Sequence, residues 1–217
     1  PAKANLKGCL NTKGITSVQG ELGIEGINSV VSAKGLGRLV EKIEKGGQNL
    51  TANSAKMIAL EEEYISTIDA VIGFLQGKNT TLAHSICKRG MLPEADRFMH
   101  TDVTEKAFGS MGIQDKAKYL ATMYLEDISD LIKETVDPHF GFSRYAEKLG
   151  RSANSFDELY EALQQPYSFT DELLIELLIK KMDELQPNIV AISVPFPGNL
   201  YSSLRCGQLI KKQYPHV

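Results

Sequence analysis

Long hydrophobic runs are missing from this chain, and so is any excess of one charge. No apolar stretch approaches the roughly 20 residues that cross a bilayer, and the N-terminus has no signal-peptide pattern. No membrane partner is expected, and the cytoplasm is the expected location. The 24 Lys and Arg face 27 Asp and Glu, a formal charge of −3. Without a basic footprint, nucleic acid is not an expected partner. The three cysteines, Cys9, Cys87 and Cys206, are odd in number and far apart, which argues against a disulfide framework. Strand signals are scarce too: two short runs in 217 residues. A chain of this length still buries a real core and has room for one or two domains.

Helical periodicity is what the chain has in quantity. Residues 4–12 read as a short helix stopped at Gly14, a usual C-terminal signal. Residues 15–22 (ITSVQGEL) alternate like a strand. Residues 27–45 return to helical spacing, interrupted at Gly35-Leu-Gly. Residues 52–76 place Ile58, Ile65, Ile68, Ile72 and Leu75 on one face of a long helix that ends at Gly77. Residues 81–88 form a shorter helix, and Met91-Leu-Pro opens another. Residues 114–135 align Leu120, Tyr124, Ile128, Leu131 and Ile132, and Pro138 prevents continuation. Short helices follow at 142–149 and 156–163. Residues 170–185 start cleanly, with Thr170 as N-cap and Asp171 and Glu172 in the first turn.

The C-terminal passage reads as strand, turn and helix. Residues 188–194 are a short apolar run rich in β-branched side chains, the pattern of a strand buried on both faces. Pro195-Phe-Pro-Gly-Asn is a rigid turn, and residues 200–214 are a helix with Leu204, Leu209 and Ile210 inward. A lone strand cannot satisfy its own backbone. The chain begins at Pro1 and stops where a further strand should follow, so it reads as a fragment cut part-way through an α/β sheet. The expected fold is mainly α with a minimal parallel β component. Residues 1–26 form the first helix and strand, 27–165 a helical insertion or subdomain, and 166–217 the helix–strand–helix continuation. The competing reading is an independent helical bundle with an unfinished neighbour. The open edge at 188–194 is expected to pair with 15–19 or with a second copy, giving a homodimer through the sheet edge.

Few residues suggest chemistry. His84 and Cys87 share a helix face, but a zinc site needs three or four ligands and no second pair lies nearby. Glu61-Glu-Glu and Glu126-Asp-x-x-Asp130 lack the histidines of a di-metal bundle and read as solvated faces. Gly20, Gly23 and Gly26 follow a strand and precede a helix, yet lack the tight first spacing of Gly-x-Gly-x-x-Gly. They read as a turn that tolerates close packing. No catalytic or metal-ligating set emerges. The strongest candidate is Ser193-Val-Pro-Phe-Pro-Gly-Asn-Leu-Tyr201. In a parallel sheet, ligands bind beyond the carboxyl ends of strands. Pro195 and Pro197 stiffen the loop, Gly198 permits close approach, and Asn199 can cap the next helix. Phe196 and Tyr201 offer flat apolar surface for a planar ring. The alternative is a tight turn whose aromatics complete the core.

The passage IVAISVPFPGNLYSSLRCGQLIKKQYPHV resembles the middle of the N-terminal cobalamin-binding domain of cobalamin-dependent radical S-adenosylmethionine proteins, often labelled Fe–S oxidoreductases. NTKGITSVQGELGIE resembles the earlier helix-to-strand passage of such domains, and ATMYLEDISDLIKETVDPHFGFSRYAEKLG the helical segment of one bacterial subfamily. The resemblance implies a truncated Rossmann-like α/β domain with a large helical insertion. It implies cobalamin as cofactor, with Ser193, Pro195, Phe196, Pro197, Gly198, Asn199 and Tyr201 lining the lower face of the ring. It further implies a C-terminal barrel as partner domain, holding a four-iron four-sulfur cluster through Cys-x-x-x-Cys-x-x-Cys, with one iron open for S-adenosylmethionine. Cys9, Cys87 and Cys206 cannot form that motif, so the radical chemistry belongs to the C-terminal part and this chain alone is expected to be inactive. Asp137-Pro-His139-Phe-Gly141 departs from the Asp-x-His-x-x-Gly of many cobalamin domains, its glycine one residue early and its place between helices. His139 therefore reads as a loop residue near a helix end. A second reading, from the long block of amphipathic helix without a polar constellation, is a cofactor-free helical interaction or structural module. A nucleotide-binding half-domain is a third.

Overall fold

Helical spacing in the sequence becomes helix wherever it can bury a face. The computed structural model describes residues 2–47, 49–88, 90–100, 112–142 and 156–217. The chain divides into two units, Pro1–Ile27 with Arg144–Val217, and Asn28–Ser143. The sequence placed these boundaries at 26/27 and 165/166.

The first unit contains α1 (Ala2–Thr12), the start of α2 (Leu22–Val30), α8 (Asp157–Gln164), α9 (Phe169–Leu185) and α10 (Leu200–Gln213). Its core joins Leu174, Leu178 and Met182 of α9 to Cys206, Leu209 and Ile210 of α10, with Leu22 at the margin. Side chains of this size contribute about 1.5–3 kcal/mol each when fully buried. A second cluster seats Tyr201 of α10 on Leu159 and Leu163 of α8. The N-cap of α9 is Ser168 rather than Thr170: its hydroxyl accepts from the Asp171 N–H, and the Asp171 carboxylate accepts from the Ser168 N–H. This reciprocal capping box wins because Ser168 and Asp171 have the required spacing, whereas Thr170 already lies inside the helix. Gly23 and Gly26 lie within α2 rather than in a loop before it, and Gly26 gives room to Leu174.

The second unit contains α3 (Ala33–Gly46), α4 (Ala52–Ala59), α5 (Glu61–Leu75), α6 (Ala83–Ile86) and α7 (Ile113–Thr135), with single 3₁₀ turns at Thr80–Leu82 and Asp96–His100. The expected interruption at Gly35-Leu-Gly falls earlier, at 31–32, where Ser32 caps α3 by accepting from the Gly35 N–H. A Cβ at Gly35 would overlap the carbonyl oxygens of Ser29 and Val30. That glycine is there for close packing and lies inside the helix it was expected to break. The long helix expected over 52–76 is two, parted at Leu60. Tyr64, Ile68, Val71 and Phe74 form the buried face of α5. Met91-Leu-Pro opens no helix; a 3₁₀ turn begins at Asp96. Residues 143–149 of the helix expected at 142–149 lie outside the described residues.

No strand occurs among the described residues. Residues 15–21 and 188–194 run without regular structure, and residue 22 already begins α2. A strand exists through its ladder, and among the described residues neither segment has a second strand beside it. The α/β reading with a parallel β component, Rossmann-like or otherwise, is thereby corrected to a helical architecture. With no sheet among the described residues there is no sheet edge there, and the homodimer expected through it loses its basis. Among the described residues, no helix is long and apolar enough to cross a membrane.

Candidate functional site

The loop singled out in the sequence leads into α10, and the structure separates its two aromatic residues. Phe196 is 71% exposed, whereas Tyr201 is 5% exposed. The flat surface open to a ligand is therefore that of Phe196, flanked by exposed Ser193, Pro195 and Pro197. Pro197–Asn199 forms one 3₁₀ turn, closed by the Asn199 N–H donating to the Phe196 carbonyl at 2.9 Å. Gly198 is half-buried in that turn. Asn199 stands at the N-cap of α10 but makes no side-chain cap bond. Of the core-completing aromatics of the tight-turn alternative, Tyr201 completes a core and Phe196 does not.

Beneath the loop lies a polar network that the sequence did not reveal. The Tyr201 hydroxyl donates to Asp171 Oδ2 at 2.8 Å and accepts from Arg205 Nε at 2.8 Å. Arg205 Nε also lies 3.3 Å from Asp171 Oδ2, a buried ion pair. The rest of the guanidinium donates to the carbonyls of Leu163, Ala162 and Gln165 at 2.9 Å each. It thereby closes the C-terminal end of α8. The guanidinium also lies over the rings of Tyr167 and Tyr201. Burial, then the charge of Asp171, pushes the Tyr201 phenol well above its usual range. The only signal for this network was the four-residue spacing of Tyr201 and Arg205 on one helix face. The 30-residue separation from Asp171 concealed the third member.

Cys206, next to Arg205, is buried, and burial pushes its thiol up to about 11. It is no nucleophile near neutrality.

The second unit gathers charge around Arg97. Its Nη1 lies 3.3 Å from Glu126, Nη2 pairs with Asp130, and Nε lies 3.1 Å from Asp127 Oδ1. Asp127 is fully buried, and neither of its carboxylate oxygens accepts an aligned hydrogen bond. Burial raises its pKa to about 6, against the pull of Arg97. The Tyr64 hydroxyl is also buried without a partner. The carboxylates read as a solvated face in the sequence thus include one interior member. Arg97 supplies their counter-charge, and no group of three or more metal-ligating side chains occurs among the described residues. Glu61, Tyr64 and apolar neighbours from α3, α4 and α7 line a cavity of about 20 Å³, room for about one water.

The remaining candidates stay apart. His84 is exposed, and Cys87 Sγ donates to the Ile113 carbonyl at 3.5 Å. His139 is exposed, its N–H donating to Asp137 Oδ1 at 3.2 Å, a local turn bond. No family model, curated protein or solved structure matches the chain.

Proposed function

We propose that this chain is the N-terminal, cobalamin-facing region of a cobalamin-dependent radical S-adenosylmethionine protein, with the catalytic cluster elsewhere in that protein. The exposed Phe196 carries the reading. It stands between two prolines on a loop whose far end is anchored, an arrangement suited to the apolar face of a large planar ring. The side chains fit that role in a limited way. Phe196, Pro195 and Pro197 offer apolar surface, and Ser193 and Asn199 can meet polar edges. None supplies an imidazole or thiolate to cobalt. The chain's part is to bind and orient, and the cofactors supply the difficult chemistry.

The test is anaerobic reconstitution of the full gene product with iron, sulfide and hydroxocobalamin. The visible spectrum should show both cluster and corrin, and the gene should encode Cys-x-x-x-Cys-x-x-Cys beyond residue 217. Phe196→Ala, a change at an exposed position, should weaken corrin retention about tenfold while thermal stability holds, the loss of one well-packed aromatic contact. A gene product without corrin absorbance, or without the three cysteines, sinks the proposal.

A second reading is a cofactor-free docking module. Ile189, 84% exposed, favours it, together with the exposed Ile192, Val194 and Phe196 on the same irregular segment. Exposed apolar side chains gathered on one segment are the kind of surface that docks partners. Light scattering after size exclusion separates the two: a strict monomer that holds corrin counts against docking.

A further inference from the structure

The loop has two unlike ends. Its N-terminal side continues the irregular run from residue 188, where Ile189, Ile192 and Val194 are exposed. Its C-terminal side passes through the Pro197–Asn199 turn directly into Tyr201. The turn has no help from the Asn199 side chain at the N-cap. One hydroxyl, that of Tyr201, connects this end to three helices. It bonds Asp171, itself held as the third residue of α9 by the capping box. It also bonds Arg205 of α10, whose remaining donors grip the last carbonyls of α8. The members are 1–5% exposed, so water does not compete for these bonds.

We infer that Asp171, Tyr201 and Arg205 are positioning residues that fix the backbone from Phe196 to Tyr201, so that the Phe196 ring meets the corrin from a set direction. This rests on the cobalamin reading above. The ring and the hydroxyl of Tyr201 have separable tasks. The ring fills the cluster with Leu159 and Leu163, which sustains the fold. The hydroxyl sets where the ring sits, and therefore where the preceding turn sits. Loss of the hydroxyl should loosen the turn more than it weakens the unit.

Tyr201→Phe keeps the ring and tests this directly. The control is Ile210→Val, a small loss in the α9–α10 core away from the loop. Hydrogen exchange at the Asn199 and Leu200 amides, both closed by turn bonds, should quicken about fivefold in Tyr201→Phe: the hydroxyl's two hydrogen bonds are lost, Arg205 Nε keeps Asp171 as partner, and the net loss is about that of one bond. In Ile210→Val it should match the parent. The full gene product carrying Tyr201→Phe should release hydroxocobalamin about fivefold faster, on the same basis. Equal exchange in the two variants overturns the positioning role. Faster exchange with unchanged corrin release overturns its link to the ligand. A parent gene product that holds no corrin overturns the cobalamin reading and leaves the exchange result to judge the network by itself.

Discussion

Asp127 shows what one side chain gains and loses by burial. Its carboxylate sits inside the second unit, near the phenol of Tyr64, with Arg97 as its counter-charge and Asp96, Glu126 and Asp130 adding repulsion. Because burial raises its pKa to about 6 from 3.8, the folded chain holds a proton that the unfolded chain releases between those values. Stability from this group is therefore greatest below about pH 4 and is lost as pH rises through about 6, a swing of up to about 3 kcal/mol. Asp127→Asn should remove that slope. Urea titrations from pH 4 to 8 will check it, and an unchanged slope in the variant would exonerate Asp127. Glu134 behaves oppositely. It is held below the usual carboxylate range by the Ser54 hydroxyl and the Thr51 N–H, and these bonds seat the start of α4 against α7.

At the scale of elements, helix ends and breaks carry the lesson. The start of α9 can be tested against its closest rival. Ser168→Ala should cost about 1 kcal/mol, the usual worth of an N-cap. Thr170→Val should cost nothing or stabilise, since the Thr170 hydroxyl is buried without a hydrogen-bond partner. Thermal melts of both variants decide: a larger loss for Thr170→Val would restore Thr170 as the cap. The parting of α4 from α5 at Leu60 was hidden because both helices are amphipathic and the break has neither glycine nor proline. The opposite error occurred at Gly35, where a residue that usually interrupts helices is required by close approach to Ser29 and Val30.

At the scale of the molecule, each unit has its own packing, and the two segments with strand patterns, 15–21 and 188–194, remain outside any ladder. A corrin cradle needs more surface than one loop provides. Titration of this 217-residue chain with hydroxocobalamin should therefore leave the cobalamin spectrum unchanged, even where the full gene product binds. Tight binding by this chain would show that the 193–201 loop and the helices suffice.

By itself the sequence determined most of the helices, though not the break at Leu60. Their apolar spacing and the turn at Pro195–Asn199 are local, and local preferences need few distant contacts to be expressed, although the sequence put the cap of α9 at Thr170 and it lies at Ser168. The stiffness of the loop was legible for the same reason, through its prolines and glycine, but not which of its aromatic residues would be exposed. Tertiary structure alone decided the rest. The alternating run at 15–22 and the apolar run at 188–194 had strand patterns, but a strand forms only when another backbone lies beside it. Only packing turned Phe196 outward and Tyr201 inward. The union of Asp171, Tyr201 and Arg205, and the burial of Asp127 against Arg97, depend on segments distant in sequence meeting in space. No periodicity records such meetings, because their energy comes from dry surroundings and paired charge that exist only once the chain has folded.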